Sequence, residues 1–333
     1  MNKRASILLI ALWSLFLLSC FAVILGTEVR QKLELVRRLG ERDSLIAACD
    51  AGVRSALDEA SGEKILPYQS LRNPWSRDPD RFKEIRLRDC LVTVSYETPG
   101  PDGAPVAAYG LVDEESKINI NKAPEAVMER LFKIVGIEEG PAQDLAWSII
   151  DWRDADSFLS VPVGSAEDSY YRGLKYPYEA KNADFELLDE LRLVKGVDEN
   201  VFNKIKNYIT IYGAGFTNVN TATRPVLIAL GLSGDTADLL ISYRDGKDGL
   251  PGTDDDAVFS TVGGVTADIS AARHLSDAEL TELSNLAARG MIGVQSQYFS
   301  VSVAARMRRG NGSYNANAVI DSDGAILYWS ERQ

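Results

Sequence analysis

The residues best suited to chemistry are carboxylates gathered in two loops. Asp151, Asp154, Asp156, Glu167 and Asp168 form one group; Asp245, Asp248, Asp254, Asp255 and Asp256 form the other. Gly246, Gly249 and Gly252 interleave the second and let its backbone turn. Hard oxygen donors with no histidine or cysteine beside them suit Ca²⁺, which takes about six to eight oxygens from flexible loops. Three adjacent aspartates repel one another unless a cation stands among them, and Lys247 is the one close basic residue. The expected cofactor is therefore calcium, up to two ions. Neither loop has the twelve-residue spacing and closing Glu of an EF-hand. A solvated acidic loop is the alternative reading.

Other chemistries find little support. The chain has one histidine, His274, which rules out sites needing several, and no motif surrounds it. Its three cysteines exclude a zinc ribbon or a disulfide-dense scaffold. No serine sits in a nucleophile elbow, so no enzyme is expected. Cys20 lies inside an apolar run. Cys49 and Cys90 fall on expected core faces and form a candidate disulfide if the compartment is oxidising; two buried free thiols are the alternative.

The elements that must position these loops follow from patterning. The 333 residues are 45% hydrophobic and 25% charged, and this length favours two modules. The net charge of -12 repels phosphate backbones, so nucleic acid is not expected as a partner. Residues 5–26 carry no charge and follow Lys3 and Arg4, which predicts a single membrane span with the N-terminus cytoplasmic and the bulk exported. Three readings compete for that run: a cleaved secretory signal, a lipoprotein signal through Leu17-Leu18-Ser19-Cys20, and a permanent helix. The apolar run continues past Cys20, and residues 28–57 contain no proline. Val29, Leu33, Val36 and Leu39, then Ile46, Cys49, Val53 and Ala56, keep helical spacing. One helix over residues 6–60 is expected, spanning the membrane at about 6–26.

Beyond it, residues 85–96 and 106–112 read as strands around a turn at Pro99-Gly100-Pro101-Asp102-Gly103. The alternation at Phe299, Val301, Val303 and Ala305 restarts strands, with hairpin signals at Asn311-Gly312 and at Asp321-Ser322-Asp323-Gly324. The fold class is α+β: a long N-terminal helix on an antiparallel sheet (61–118 and 297–333), with an all-α domain inserted at 119–296. The insert holds an internal repeat. Asn119-Ile120-Asn121-Lys122-Ala123 recurs as Asn218-Val219-Asn220-Thr221-Ala222, and Trp152-Arg153-Asp154 as Tyr243-Arg244-Asp245. Within it, residues 191–209 resemble a helix-hairpin-helix element. This opens a second function class, an anchored DNA receptor, against which stand the net charge and Asp198 and Glu199.

Taken in order, these elements resemble general secretion pathway protein K, the large minor pseudopilin of the bacterial type II secretion system. The likeness rests on the unsplit N-terminal helix, on Asp113-Glu114-Glu115-Ser116-Lys117-Ile118-Asn119-Ile120-Asn121, and on Ile149-Ile150-Asp151-Trp152-Arg153-Asp154-Ala155-Asp156. It rests also on Glu167-Asp168-Ser169-Tyr170-Tyr171, on Tyr178-Glu179-Ala180-Lys181-Asn182, on residues 190–197 and on Asn218-Val219-Asn220-Thr221-Ala222. The resemblance implies a prepilin leader, residues 1–5, cut after Ala5 where the family usually has Gly, to give a mature chain with a methylated Ser6. It implies Ca²⁺ in the inserted domain. Most pilins carry Glu at the fifth mature position; here it is Ile10, a lack typical of this family and fitting a place at the filament tip. The implied partners are the I- and J-type minor pseudopilins, the major pseudopilin, the prepilin peptidase and the inner membrane, with the bulk of the chain in the periplasm.

Overall fold

The computed structural model describes residues 3–62, 66–99 and 104–332. It opens with α1, one unbroken helix over Lys3–Gly62, which rises about 90 Å at 1.5 Å per residue. Its two halves differ in what they touch. From Ile7 to Leu39 the large apolar side chains among the described residues are exposed, and this half contains a stretch apolar and long enough to cross a membrane. From Leu45 onward, Leu45, Ala48, Cys49, Val53, Ala56 and Ala60 are buried at the three- and four-residue spacing that makes one helical stripe. Ala5 and Ser6 fall in the first turns of α1; their side chains lie outside the described residues.

After α1 the chain forms the short α2 (Pro79–Phe82), then β1 (Ile85–Leu87), β2 (Cys90–Val94), β3 (Tyr96–Pro99), β4 (Pro105–Ala108) and β5 (Val112–Asp113). The stretch expected as one strand over residues 85–96 is thus a hairpin, β1 against β2, because Arg88 takes a left-handed φ of 51° and reverses the chain. The strand expected over residues 106–112 is also split: β4 pairs with β3, while β5 joins the main sheet. Residues 100–103 of the expected turn lie outside the described residues.

The insert follows. It contains β6 (Ile118–Asn119), α3 (Glu125–Ile134), α4 (Glu139–Arg153), α5 (Asp168–Tyr171), α6 (Glu199–Ile205), β7 (Ile209–Thr210) and β8 (Thr217–Asn218). It ends with α7 (Arg224–Leu230), α8 (Gly234–Arg244), α9 (Gly264–Ala272), α10 (Asp277–Ala288) and β9 (Ile292–Gly293). Then β10 (Tyr298–Met307), β11 (Ser313–Asp321) and β12 (Ile326–Arg332) complete an antiparallel sheet of order β1-β2-β10-β11-β12, with β5 also on β10. The α+β class and the helix-on-sheet packing are as expected; the insert, expected all-α, also carries the short strands β6 to β9. Asp113 stands opposite Phe299, so the insert leaves and re-enters the sheet at one place.

Two cores result. One joins the buried stripe of α1 to Val92, Val94, Val301, Val303 and Ala316 of the sheet; the other runs from Ile118 to Val294 inside the insert. Two arms of the insert close on the same bonds. Asn121 exchanges a pair of hydrogen bonds with the backbone of Phe185 (3.0 and 2.8 Å), and Asn220 does so with Phe259 (2.9 and 2.9 Å). Arg153 donates to the carbonyls of Ile120 and Ala123, and Arg244 to those of Val219 and Ala222. A two-residue parallel pairing ties each arm, β6 to β7 and β8 to β9.

The close approach of α1 to the sheet depends on Gly52. A Cβ there would lie 2.8 Å from a methyl of Val92 and 2.9 Å from one of Val303. Gly52→Ala would gain about 1 kcal/mol of helix propensity and lose about 1–3 kcal/mol by overpacking. The expected outcome is a net loss of about 1 kcal/mol in a urea melt of the full chain in detergent; a gain would show that the helix stands farther from the sheet.

Candidate metal centre

The first acidic group forms where α4 ends and α5 begins. Asp151 lies in the last turn of α4, Asp154 caps its C-terminus, Asp156 follows, and Glu167 caps the N-terminus of α5. Oxygens of Asp154, Asp156 and Glu167 converge to within 4.8 Å of one another. Asp151 and Glu167 are almost wholly buried, at 0% and 2% exposure. Asp151 Oδ1 accepts from the Ser160 N–H at 3.1 Å, and Glu167 Oε2 from the Asp168 N–H at 3.3 Å. Three other oxygens, Asp151 Oδ2, Asp154 Oδ1 and Glu167 Oε1, are buried with no hydrogen-bond donor among the described residues. Burial, with the charges of Asp151, Asp154 and Asp168 added, pushes the Glu167 carboxyl up to about 7, and Asp154 is raised by burial and by Asp156 and Asp151. Carboxylates crowded at the negative end of a helix and left without donors are costly unless a cation collects them. The donor set, all oxygen, fits Ca²⁺.

Asp168, expected among these ligands, is turned elsewhere. Its carboxylate accepts from the Ala180 N–H at 2.9 Å and pairs with Arg172 at 2.9 Å.

The second group is built differently. Asp248, Asp255 and Asp256 bring one oxygen each within 4.8 Å. Here the loop itself supplies the donors. Asp255 Oδ2 accepts from the Lys247 N–H at 2.7 Å, and its Oδ1 from the Thr253 hydroxyl at 2.8 Å; Asp256 Oδ2 accepts from the Gly252 N–H at 2.7 Å. The Thr253 and Lys247 bonds hold Asp255 below the usual carboxylate range, while burial raises Asp256. Gly246 is required: at φ 69° a Cβ would sit 2.7 Å from both the carbonyl and a carboxylate oxygen of Asp255. Asp245 instead pairs with Arg244 at 3.0 Å, and Asp254 is exposed and outside the group.

Cys49 and Cys90 are buried on the facing sides of α1 and β2 but are not joined. The Cys49 thiol donates to the Tyr314 carbonyl at 3.5 Å, while Cys90 turns to the Ser44 carbonyl and Met307 Sδ. The two sulfurs point to different partners, which corrects the disulfide expectation for this structure. Burial pushes Cys49 up to about 11 and raises Cys90, leaving two unreactive thiols.

In the segment resembling a helix-hairpin-helix, Lys195 Nζ turns inward to the carbonyls of Gly164 (2.9 Å) and Ser165 (3.3 Å), and Leu191, Val194 and Phe202 belong to the core. Its cation braces the first acidic loop.

The most demanding site lies outside both acidic loops. Asp113, Glu114 and Glu115 are 2%, 4% and 2% exposed at the junction of insert and sheet. Asp113 Oδ2 accepts from Ser296 Oγ (2.6 Å), Asn218 Nδ2 (3.1 Å) and Thr221 Oγ1, and its Oδ1 from the Glu115 N–H (2.8 Å). Glu114 accepts from Lys117, Thr210 and Ser300. Glu115 Oε2 accepts from the backbone N–H groups of Gln297 (3.3 Å) and Tyr298 (3.1 Å). Burial raises Asp113, and burial with Asp113's charge raises Glu115. Asp113, with four donors, is the member held ionised; Glu115, with two, is the member that keeps its proton.

Comparisons with known proteins agree with this architecture. Residues 108–214 match the family described as type II secretion system (T2SS), protein K. Three curated proteins named type II secretion system protein K are similar. The one from Pectobacterium carotovorum subsp. carotovorum is 32% identical over 37% of this chain and 38% of its own length. That from Aeromonas hydrophila is 28% identical over 63% and 66%, and that from Pseudomonas aeruginosa 31% over 62% and 59%. The matches thus span less than two thirds of each relative. Among solved structures, a chain of the GspK-GspI-GspJ complex from the enterotoxigenic Escherichia coli type 2 secretion system superposes with a TM-score of 0.68, covering 90% of this chain and 99% of that one. At 18% identity this likeness is one of fold.

Proposed function

We propose, because residues 108–214 match the type II secretion system protein K family and curated proteins of that name are similar, that the chain is a minor pseudopilin, held in the bacterial inner membrane before assembly and placed at the tip of the periplasmic pseudopilus. The observation that carries this reading is α1: sixty residues without a break, apolar and exposed at one end, packed under a sheet at the other. Such a rod passes from lipid into a bundle of like helices with its backbone fully bonded, and its exposed Leu and Ile side chains would contribute roughly 25 cal/mol per Å² buried there. The role is structural rather than catalytic.

Tip placement follows from two features. Ile10 replaces the Glu that would pair with a neighbouring subunit's amine, so no subunit is needed above. The insert broadens the head beyond the sheet and blocks further addition. Its partners are the I- and J-type minor pseudopilins beside it, the major pseudopilin below, and the prepilin peptidase that cuts between Ala5 and Ser6. Calcium, held by Asp151, Asp154, Asp156 and Glu167, and a second ion at Asp248, Asp255 and Asp256, would fasten the two loops; the ion supplies charge neutralisation and no reaction.

Co-expression tests the reading. The chain is expected to purify as one complex with the I- and J-type subunits, and a strain lacking it to retain its secreted proteins in the periplasm. The mature N-terminus should be a methylated Ser6. A monomer in every combination, with secretion intact in the null strain, or an acylated Cys20, would overturn the proposal.

A further inference from the structure

Where the two arms of the insert meet, a cleft of about 240 Å³ opens between the start of α3 and the chain after α10. Ala123, Pro124, Val127, Leu230 and Met291 give it apolar walls, and Arg289 stands at its rim. Three observations bear on what it takes.

First, the Arg289 guanidinium has no ion pair or hydrogen bond among the described residues, in a chain with a twelve-charge acidic excess. The other cation of the lining, Lys122, is already paired with Asp184 at 2.7 Å. Second, Arg289 faces a like charge. Half-buried Arg130, whose Nε donates to the Ala229 carbonyl at 2.8 Å, is lowered in pKa by burial and then by Arg289. Glu125 and Glu129 also act on Arg130, but Glu129 is bound to Lys133. Third, α3 starts at the cleft on Pro124 with no side chain capping it; the Val127 and Met128 N–H groups bond to the Pro124 carbonyl, and those of Glu125 and Ala126 have no acceptor among the described residues.

We propose that this cleft is a binding site for the carboxyl terminus of a polypeptide ending in an apolar residue. The apolar walls and the unpaired guanidinium stand within one small cavity, so a single residue must supply both the hydrocarbon and the carboxylate. A chain-terminal Leu, Val or Met does so. An internal Asp or Glu brings the charge without the apolar group on the same residue. The site is separate from the acidic loops and from α1, and it does not depend on which filament the chain serves.

N-acetyl-leucine is the probe, titrated into the full isotope-labelled chain in detergent and followed by amide shifts of Gly215, Gly290 and Met291. Saturable shifts at these positions are expected, with N-acetyl-leucinamide at least tenfold weaker because it lacks the charge. The Arg289 side chain is exposed and unbonded among the described residues, so Arg289→Ala should melt as the parent does and lose binding at least tenfold. Absence of saturation, equal binding of the amide, or full binding by Arg289→Ala would each overturn the proposal.

Discussion

Purified chain loaded with Ca²⁺ is expected to melt several degrees above the same chain in chelator. The three unbonded oxygens on Asp151, Asp154 and Glu167 set the sign: without a cation they are buried negative charge in mutual repulsion, and with one they become ligands. An ion at about a hundred times its dissociation constant stabilises by about 2.7 kcal/mol, and each kcal/mol moves the midpoint of a chain this size by roughly 2–4 °C. Glu167→Gln separates a metal site from a merely acidic loop. It removes a ligand, so the calcium-dependent rise should largely vanish. It also removes a buried charge, so in chelator the variant should melt above the parent. Asp168→Asn and Asp254→Asn, whose carboxylates lie outside the two groups, should keep the calcium response. The second loop should add a smaller rise, since its own N–H groups and Thr253 already satisfy Asp255 and Asp256. Identical midpoints with and without calcium would remove the ion from the proposal.

What could be foreseen from sequence tracks what leaves a periodic or compositional mark. The sixty-residue helix declared itself through the absence of proline and the stripe from Leu45 to Ala60. The hairpins from β10 to β12 declared themselves through alternation and Asn311-Gly312. The β1–β2 hairpin did not, because its turn is Arg88-Asp89, and an arginine at positive φ carries no turn signal. The acidic residues were visible, but which of them converge was not. Asp168 and Asp245 each found a neighbouring arginine, and nothing in their spacing distinguishes them from true members. Arg153 and Arg244, core braces of the two arms, read as surface residues because arginine is rarely buried; their one clue is their matched place after Trp152 and Tyr243. Cys49 and Cys90 were legible as core positions, since burial has a period, whereas the direction of each sulfur is set by packing across 40 intervening positions and has none. The junction at Asp113 to Glu115 was hidden most completely. Three consecutive acids look like solvent-facing turn, and only the return of the chain at Ser296 to Tyr298 brings the donors that bury them.

That junction makes stability fall as pH rises. Glu115 binds its proton more tightly in the folded chain than in the unfolded one, because burial and the charge of Asp113 both penalise its ionised form. The stability arising from this difference is fully present below the unfolded carboxyl value and is lost as pH climbs toward the raised folded value. One proton gives a slope of at most about 1.4 kcal/mol per pH unit, so across two units near neutrality the loss approaches about 3 kcal/mol. Glu115→Gln isolates it. The amide oxygen still accepts from the Gln297 and Tyr298 N–H groups, no ionisation remains, and the difference between variant and parent cancels Glu167, which also titrates near neutrality. The variant should be close to the parent at pH 5 and more stable at pH 8. Asp113→Asn should behave in the opposite sense. It exchanges one acceptor oxygen for a donor facing other donors, so it should destabilise throughout the range and loosen the insert from the sheet. Parallel urea midpoints for the parent and Glu115→Gln from pH 5 to 8 would show Glu115 to be ionised in the fold, and the insert would then be held to the sheet with both acids charged rather than with Glu115 keeping its proton.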